Sequence, residues 1–258
     1  MDTKETMGEV KKLNKRNKYV VFDLDETLGY FTEIGIIWNC LKTSYNISGQ
    51  RYFDKLCETF EKEYFRPGIF NALHYLHKQK AKVVLYTNNT GELSWLKLII
   101  SYLEKRANAR GLFIEIVPGY KNHIRGPYAR SSINKTYPEI LRCAKLPPDS
   151  KVIFFDDQSH QGMRHPNVKY IRVKAYFHPL RPGIIIDRLQ RSYFSFLDYG
   201  TNSYIYKCIR NFHNHYAAQG YHYQTSRVSD KDIIKHLRKF YGTTRRNRKK
   251  NDNKTRKK

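Results

Sequence analysis

The stretch Val20–Gly29, VVFDLDETLG, constrains this chain more than any other. Val20, Val21, Phe22 and Leu24 are apolar, yet Asp23, Asp25 and Glu26 share the same ten positions, with Thr27 just behind. Apolar runs bury themselves, and ionised carboxylates resist burial. Read from Lys18 to Leu24, the run is short, continuous and β-rich, as expected of a strand covered on both faces. Such a strand places its acids at its carboxyl end. In open parallel sheets that is where ligands sit.

The rest of the pattern supplies the sheet. Further strands are predicted over Lys82–Tyr86, Leu112–Val117, Lys151–Phe155 and Val168–Val173. Helices are predicted over Ile69–Lys80, where Ile69, Leu73 and Leu76 keep helical spacing, and over Glu92–Arg106 and Tyr137–Ala144. Residues 30–65 mix aromatics with charges and read as partly helical. Strands alternating with helices predict an α/β fold, a Rossmann-like parallel sheet with helices on both faces. The first strand ends in Asp23 and Asp25, the second in Thr87 with Asn88 and Asn89 after it, and the fourth in Asp156 and Asp157. Lys135 opens the short helix before the fourth strand. Carboxylates brought within a few ångströms cannot all stay ionised unaided. A hard divalent cation removes the conflict, so the acids imply Mg²⁺ and, with it, a phosphoryl or carboxyl substrate.

Composition narrows the partners. The chain has 258 residues, 40% of them hydrophobic, enough for one sizeable core. Its net charge of +25 predicts acidic partners: nucleic acid, phosphorylated protein or an anionic membrane surface. Cys40, Cys57, Cys143 and Cys208 are far apart, which argues against a zinc knuckle or a dense disulfide framework and for buried thiols in a reducing compartment. The N-terminal segment has no apolar core, and no apolar stretch is long enough to span a bilayer, so an intracellular protein of the nucleus or cytoplasm is expected.

Four segments are expected: a flexible basic lead-in (1–17), the α/β domain (18–185), a tyrosine-rich helical extension (186–242) and a disordered basic tail (243–258). The tail suits phosphate-backbone contacts or nuclear localisation. The tyrosines are read as the core of the extension rather than as base-stacking groups. His74 and His77, and His213, His215 and His222, lack usual ligand spacing. Lys121, His123, Arg125 and Arg130 precede Lys135, near the expected mouth, where they suit flanking phosphates.

The ordered set of D-L-D-E-T-L after an apolar strand, a strand ending in Thr, a downstream Lys and a strand ending in D-D resembles the haloacid dehalogenase superfamily. Within it, R-P-G at Arg66–Gly68, NKTYPEILRCAKLP and VIFFDDQ resemble the phosphatases of the RNA polymerase II C-terminal-domain type, also known as NLI-interacting-factor-like. The resemblance covers roughly residues 18–180. It implies that Asp23 is the nucleophile of an aspartyl-phosphate mechanism and that Asp25 acts as general acid and then base. It also implies Mg²⁺ held by Asp23 and one or both of Asp156 and Asp157, with the backbone carbonyl of Asp25. Thr87 and Lys135 would bind phosphate oxygens in the catalytic set. Thr27, Asn88 and Arg130 would stand on the phosphate or substrate side, Thr27 also orienting its loop.

Neither gap that holds a cap in this superfamily, 28–65 or 118–134, has room for a large one. A capless mouth favours a macromolecular substrate. The expected function is a Mg²⁺-dependent phosphatase acting on phosphoserine or phosphothreonine in a protein. The alternatives are a polynucleotide 3′-phosphatase, or a basic scaffold for nucleic acid or membrane with a vestigial site. Compact enzymes of this kind also occur in large DNA viruses, and the length and tyrosine-rich texture are compatible with that source.

Overall fold

Lys18–Phe22 (β1) forms a strand whose last four residues are buried. It lies at the centre of a five-stranded parallel sheet with Lys82–Tyr86 (β2), Phe113–Val117 (β3), Lys151–Asp156 (β4) and Val168–Arg172 (β5). The strand order is β3-β2-β1-β4-β5. This computed structural model describes residues 17–120, 126–218 and 225–242. The expectations for the lead-in to residue 16, for Lys121, His123 and Arg125, for His222 and for the tail from 243 lie outside the described residues.

β1 pairs with β2 on one side and β4 on the other, which explains its unbroken apolar run. The chain reverses its direction of growth between β1 and β4, so the crevice at their carboxyl ends is the topological switch point. β1 stops at Phe22 rather than Leu24. Asp23 N still donates to Phe155 O at 2.9 Å, but Leu28 N folds back onto Leu24 O at 2.8 Å. Glu26 takes the left-handed conformation at φ 56° within that turn.

Side-chain alternation along the strands divides the core in two. Val20, Phe22, Val83, Leu85, Ile153 and Phe155 face the larger cluster. Tyr19, Val21, Val84, Tyr86, Val152 and Phe154 face the smaller one, which Tyr137–Cys143 (α5) covers. On the larger side lie Thr32–Tyr45 (α1), Gln50–Tyr64 (α2), Ile69–Lys78 (α3) and Leu93–Arg106 (α4). Thus α1 and α2 fill the first gap.

Pro182–Gln190 (α6), Tyr199–Ala218 (α7) and Asp232–Phe240 (α8) follow the sheet. Ile185, Leu189, Ile205, Ile209, Ile233 and Leu237 bring these helices into the larger cluster, so they share its core. The described tyrosines of α7 do not form that core, contrary to expectation. Tyr199 is 87% exposed and Tyr204 46%, whereas Ile205 and Ile209, one turn apart on α7, are fully buried. An aliphatic stripe needs no polar partner when buried, and a phenol does. Gly68 marks where this segment meets the sheet domain. Its φ is +77°, and a Cβ there would stand 2.0 Å from the Asp230 carbonyl oxygen. All four cysteines are free thiols, with Cys208 half-buried and the others buried. Burial and the neighbouring Cys208 push the Cys40 thiol up to about 12. No helix among the described residues is long and apolar enough to cross a membrane.

Candidate active site

The switch point gathers the acids that the strands deliver. Asp23 follows β1 and Asp156 ends β4, and both are buried. Lys135 Nζ lies between them, donating to Asp23 Oδ1 at 2.5 Å and to Asp156 Oδ2 at 2.7 Å. Lys135 is itself 2% exposed, its ammonium 5.8 Å from the ring centroids of both Tyr86 and Phe154. A buried ammonium is stable only when paired, and here it has two carboxylates. The capped start of α5 fixes its place, because Thr136 accepts from Glu139 N at 3.2 Å and Pro138 occupies the first turn.

Asp157 completes the cluster. Among the described residues, Asp23, Asp156 and Asp157 form a set able to hold a metal ion, with one carboxylate oxygen from each lying within 4.8 Å of the others. One lysine against three carboxylates leaves negative charge over. Burial raises Asp23 above the usual carboxylate range, against the pull of Lys135. Burial, then the charges of Asp23 and Asp156, push Asp157 up to about 6. Burial also raises Asp156, but the His160 hydrogen bond and Lys135 outweigh it and leave that group low. Burial is the main cause of the two upward shifts, and like charge from the neighbouring aspartates adds to it. The donors are all hard oxygens, the set that suits Mg²⁺.

Asp25 stands apart from that set. Its carboxylate accepts from Asn89 Nδ2 at 2.8 Å. Burial raises it to about 6, Asn89 opposing and Asp23 adding to the rise. Glu26 is pushed further, to about 9, by burial and then by Asp25 and Asp157.

Two cavities meet at Asp25. The catalytic cavity, of about 270 Å³, is lined by Asp23, Asp25, Thr87, Asn88 and Lys135, among others. A groove of about 800 Å³ runs from Asp25, Thr32 and Asn89 between α1 and α4, past Trp38 and Trp95, with Lys42 and Lys97 on its walls. Thr87 is 1% exposed, and its Oγ1 accepts from Asn89 N at 3.0 Å.

Two of the expected substrate-side residues do other work. Thr27 is fully buried, and its hydroxyl donates to Asp157 Oδ1 at 3.3 Å and accepts from Asp157 N at 3.1 Å. It orients the loop and has no face left for phosphate. Arg130 is also buried away from the cavity. Its guanidinium donates to Glu139 Oε2 at 3.0 Å, to the Thr87 carbonyl at 3.0 Å and to Asn88 Oδ1 at 2.6 Å. Burying a guanidinium demands a carboxylate partner, and Glu139 draws it inward. Asn88 remains on the cavity wall with its Oδ1 taken by Arg130.

The structure adds residues that sequence reading passed over. Asn89 holds Asp25, and it stood in plain view one residue beyond Asn88. His160 Nε2 lies 3.2 Å from Asp156 Oδ2. Arg66, 2% exposed, donates to the carbonyls of Thr27, Glu26 and Lys174 at 2.5, 2.6 and 2.6 Å and staples the loop after β1. The R-P-G signal pointed to that residue without showing its task. Tyr216 of α7 reaches the catalytic cavity wall, and no local signal marks it.

A parallel sheet with an acid cluster at its switch point, a lysine across the acids and a threonine at the next strand end defines a phosphohydrolase of the haloacid dehalogenase type. The profile of the NLI interacting factor-like phosphatases matches residues 18–183, and the chain belongs to that family. Two solved structures are similar over about half of the chain. One is a putative beta-phosphoglucomutase from Thermotoga maritima, with 16% identity, 55% of this chain and 76% of that chain covered, and a TM-score of 0.31. The other is a HAD-superfamily hydrolase from Ehrlichia chaffeensis, with 14% identity, 54% and 78% covered, and the same TM-score of 0.31. No curated protein sequence matches the chain.

Proposed function

We propose that the protein hydrolyses phosphoserine or phosphothreonine in a protein substrate, with Asp23 as nucleophile. The observation that supports this most is the grouping of Asp23, Asp25, Thr87 and Lys135 around one cavity beside a long open groove. A carboxylate oxygen of Asp23 attacks phosphorus, and the bond from phosphorus to the serine or threonine oxygen breaks. Asp25 donates a proton to that leaving oxygen. A water then attacks the phosphorus of the aspartyl-phosphate and gives its proton to Asp25, which frees Asp23 and inorganic phosphate. Lys135 and Thr87 hold phosphoryl oxygens as charge builds on them.

Asp23, Asp156 and Asp157, with the Asp25 carbonyl, would hold Mg²⁺, whose chemistry when bound is to offset charge on the phosphoryl oxygens. The oxygen donors, and a single lysine set against three carboxylates, support that assignment. The groove supports a macromolecular leaving group. It begins at Asp25, the proton donor to that group, and its apolar, lysine-bordered walls suit an extended peptide carrying acidic residues.

The test compares release of phosphate from a phosphoserine peptide and from a 3′-phosphorylated oligonucleotide, with and without Mg²⁺, for wild type and Asp23→Asn. Turnover of the peptide that needs Mg²⁺ and is lost in the variant is expected. Preference for the oligonucleotide, falling steeply with salt, would move the enzyme to nucleic-acid ends. Turnover that survives Asp23→Asn would remove the mechanism.

A further inference from the structure

The matched family region ends at residue 183, yet one wall of the catalytic cavity comes from residue 216. Helix α7 supplies it. Ile205 and Ile209 seat the helix in the main core, and it packs against α1 and α6. A second tie lies one turn before its C-terminal turn. His213 Nε2 lies 2.6 Å from Glu33 Oε1. Glu33, fully buried at the start of α1, also accepts from Tyr64 Oη at 2.6 Å and from Leu180 N at 3.1 Å. A buried carboxylate with three partners is a firm anchor. Its neighbour Thr32 lines both cavities.

Tyr216 follows His213 by three residues and so lies on the same helix face. With His213 held at Glu33, Tyr216 is set over the mouth beside Thr32, where it borders the cavity that holds Asp23 and Lys135. The first of the sequence gaps that hold caps in this superfamily contains α1 and α2. Among the described residues, α7 brings a residue of the C-terminal segment to this mouth.

We infer that α7 is a cap contributed by the C-terminal extension and that Tyr216 is a specificity-determining residue that contacts the phosphorylated peptide. The inference rests on the phosphatase reading above and adds the residue that selects among its substrates. The half-buried Tyr216 ring packs against Phe212 at 4.7 Å and borders the space that a bound peptide would enter, as amphipathic aromatics at binding rims do. The anchored helix keeps that ring in place before substrate arrives, which lowers the cost of binding.

The experiment measures kcat and KM for wild type, Tyr216→Ala, Tyr216→Glu and His213→Ala. Substrates are a phosphoserine peptide, a 3′-phosphorylated oligonucleotide and p-nitrophenyl phosphate, each with Mg²⁺, and thermal melting is followed in parallel. Tyr216→Ala should raise KM for the peptide about tenfold with kcat within about twofold, the pattern of lost binding rather than lost chemistry. Tyr216→Glu should raise it further, since a carboxylate at the rim repels a phosphate dianion. His213→Ala should raise KM in the same direction by releasing the last turn. KM at the wild-type value in both Tyr216 variants, whatever their melting temperatures, would overturn the inference while leaving the phosphatase reading in place. A KM effect seen only with the oligonucleotide would also overturn it, because the contact would then be to nucleic acid. A wild type that turns over none of the three substrates would remove both readings.

Discussion

The two cavities that meet at Asp25 are built on different rules. The catalytic cavity is set at the ends of parallel strands, and its polar groups are buried and paired: Lys135 with two aspartates, Asp25 with Asn89. The groove is set between helices and is shaped by rings. Trp38 meets Phe53 edge-on at 5.3 Å, and Phe53 meets Trp95 in the same way at 5.4 Å. Strand ends are rigid and bring charge to one point with little choice of position, which suits chemistry. Helix faces can change their side chains without moving a ladder, which suits recognition. Asp25 lines both, which fits the proton transfer to the leaving group proposed for it.

This division can be broken one residue at a time. Asp25→Asn keeps the shape and removes the proton. It should cut kcat by about 10³-fold on a phosphopeptide, with KM little changed, as steady-state kinetics would show. An unchanged kcat would take Asp25 out of the chemistry.

Arg66→Met comes next. Three carbonyls around the loop after β1 lose their donor. Urea unfolding should show a loss of about 3 kcal/mol, given the cost of buried acceptors left unmade. A loss under about 1 kcal/mol would mean that the loop holds itself.

Trp95→Ala sharpens the contrast between the cavities. It should raise KM for a phosphopeptide about tenfold and leave kcat/KM for p-nitrophenyl phosphate within about threefold, because the small substrate does not reach along the groove. Equal losses on both would show that the groove serves catalysis instead.

Asn89→Ala has the smallest expected effect and tests the junction itself. Burial holds Asp25 at about 6, and the Asn89 amide pulls it down from a still higher value. Removing the amide raises the Asp25 pKa. The acid form donates the proton, so activity falls as pH rises through that pKa. The falling limb of kcat against pH should therefore move to higher pH by up to about one unit. A limb that stays, or moves down, would deny Asp25 that role.

The same contrast explains what could be read from the chain. The acid cluster was legible because each strand end is a local signal, an apolar run stopping on Asp or Thr. The sheet order brings Asp23 and Asp156 together whatever the loops do. Lys135 was legible as the helix start just before β4. The groove was not, because Trp38 and Trp95 stand 57 positions apart in sequence, on different helices, and are brought together through Phe53. Arg130 was misread for a related reason. A basic residue near the mouth looks like a phosphate ligand until its partner, Glu139 on the next helix, is seen to draw it inward. Tyr216 was beyond sequence reading altogether, since its place depends on how α7 docks on α1.

The proposed chemistry stands or falls with Asp23 as the nucleophile at the switch point. The most direct measurement is a rapid acid quench during turnover of a phosphoserine peptide with Mg²⁺, followed by mass spectrometry of the digest. An acid-stable, hydroxylamine-labile phosphoryl group is expected on the segment Tyr19–Lys42, with fragment ions that place it on Asp23. A phosphoryl group on another residue, or full turnover with no trapped group at any quench time and an undiminished rate in Asp23→Asn, would contradict it.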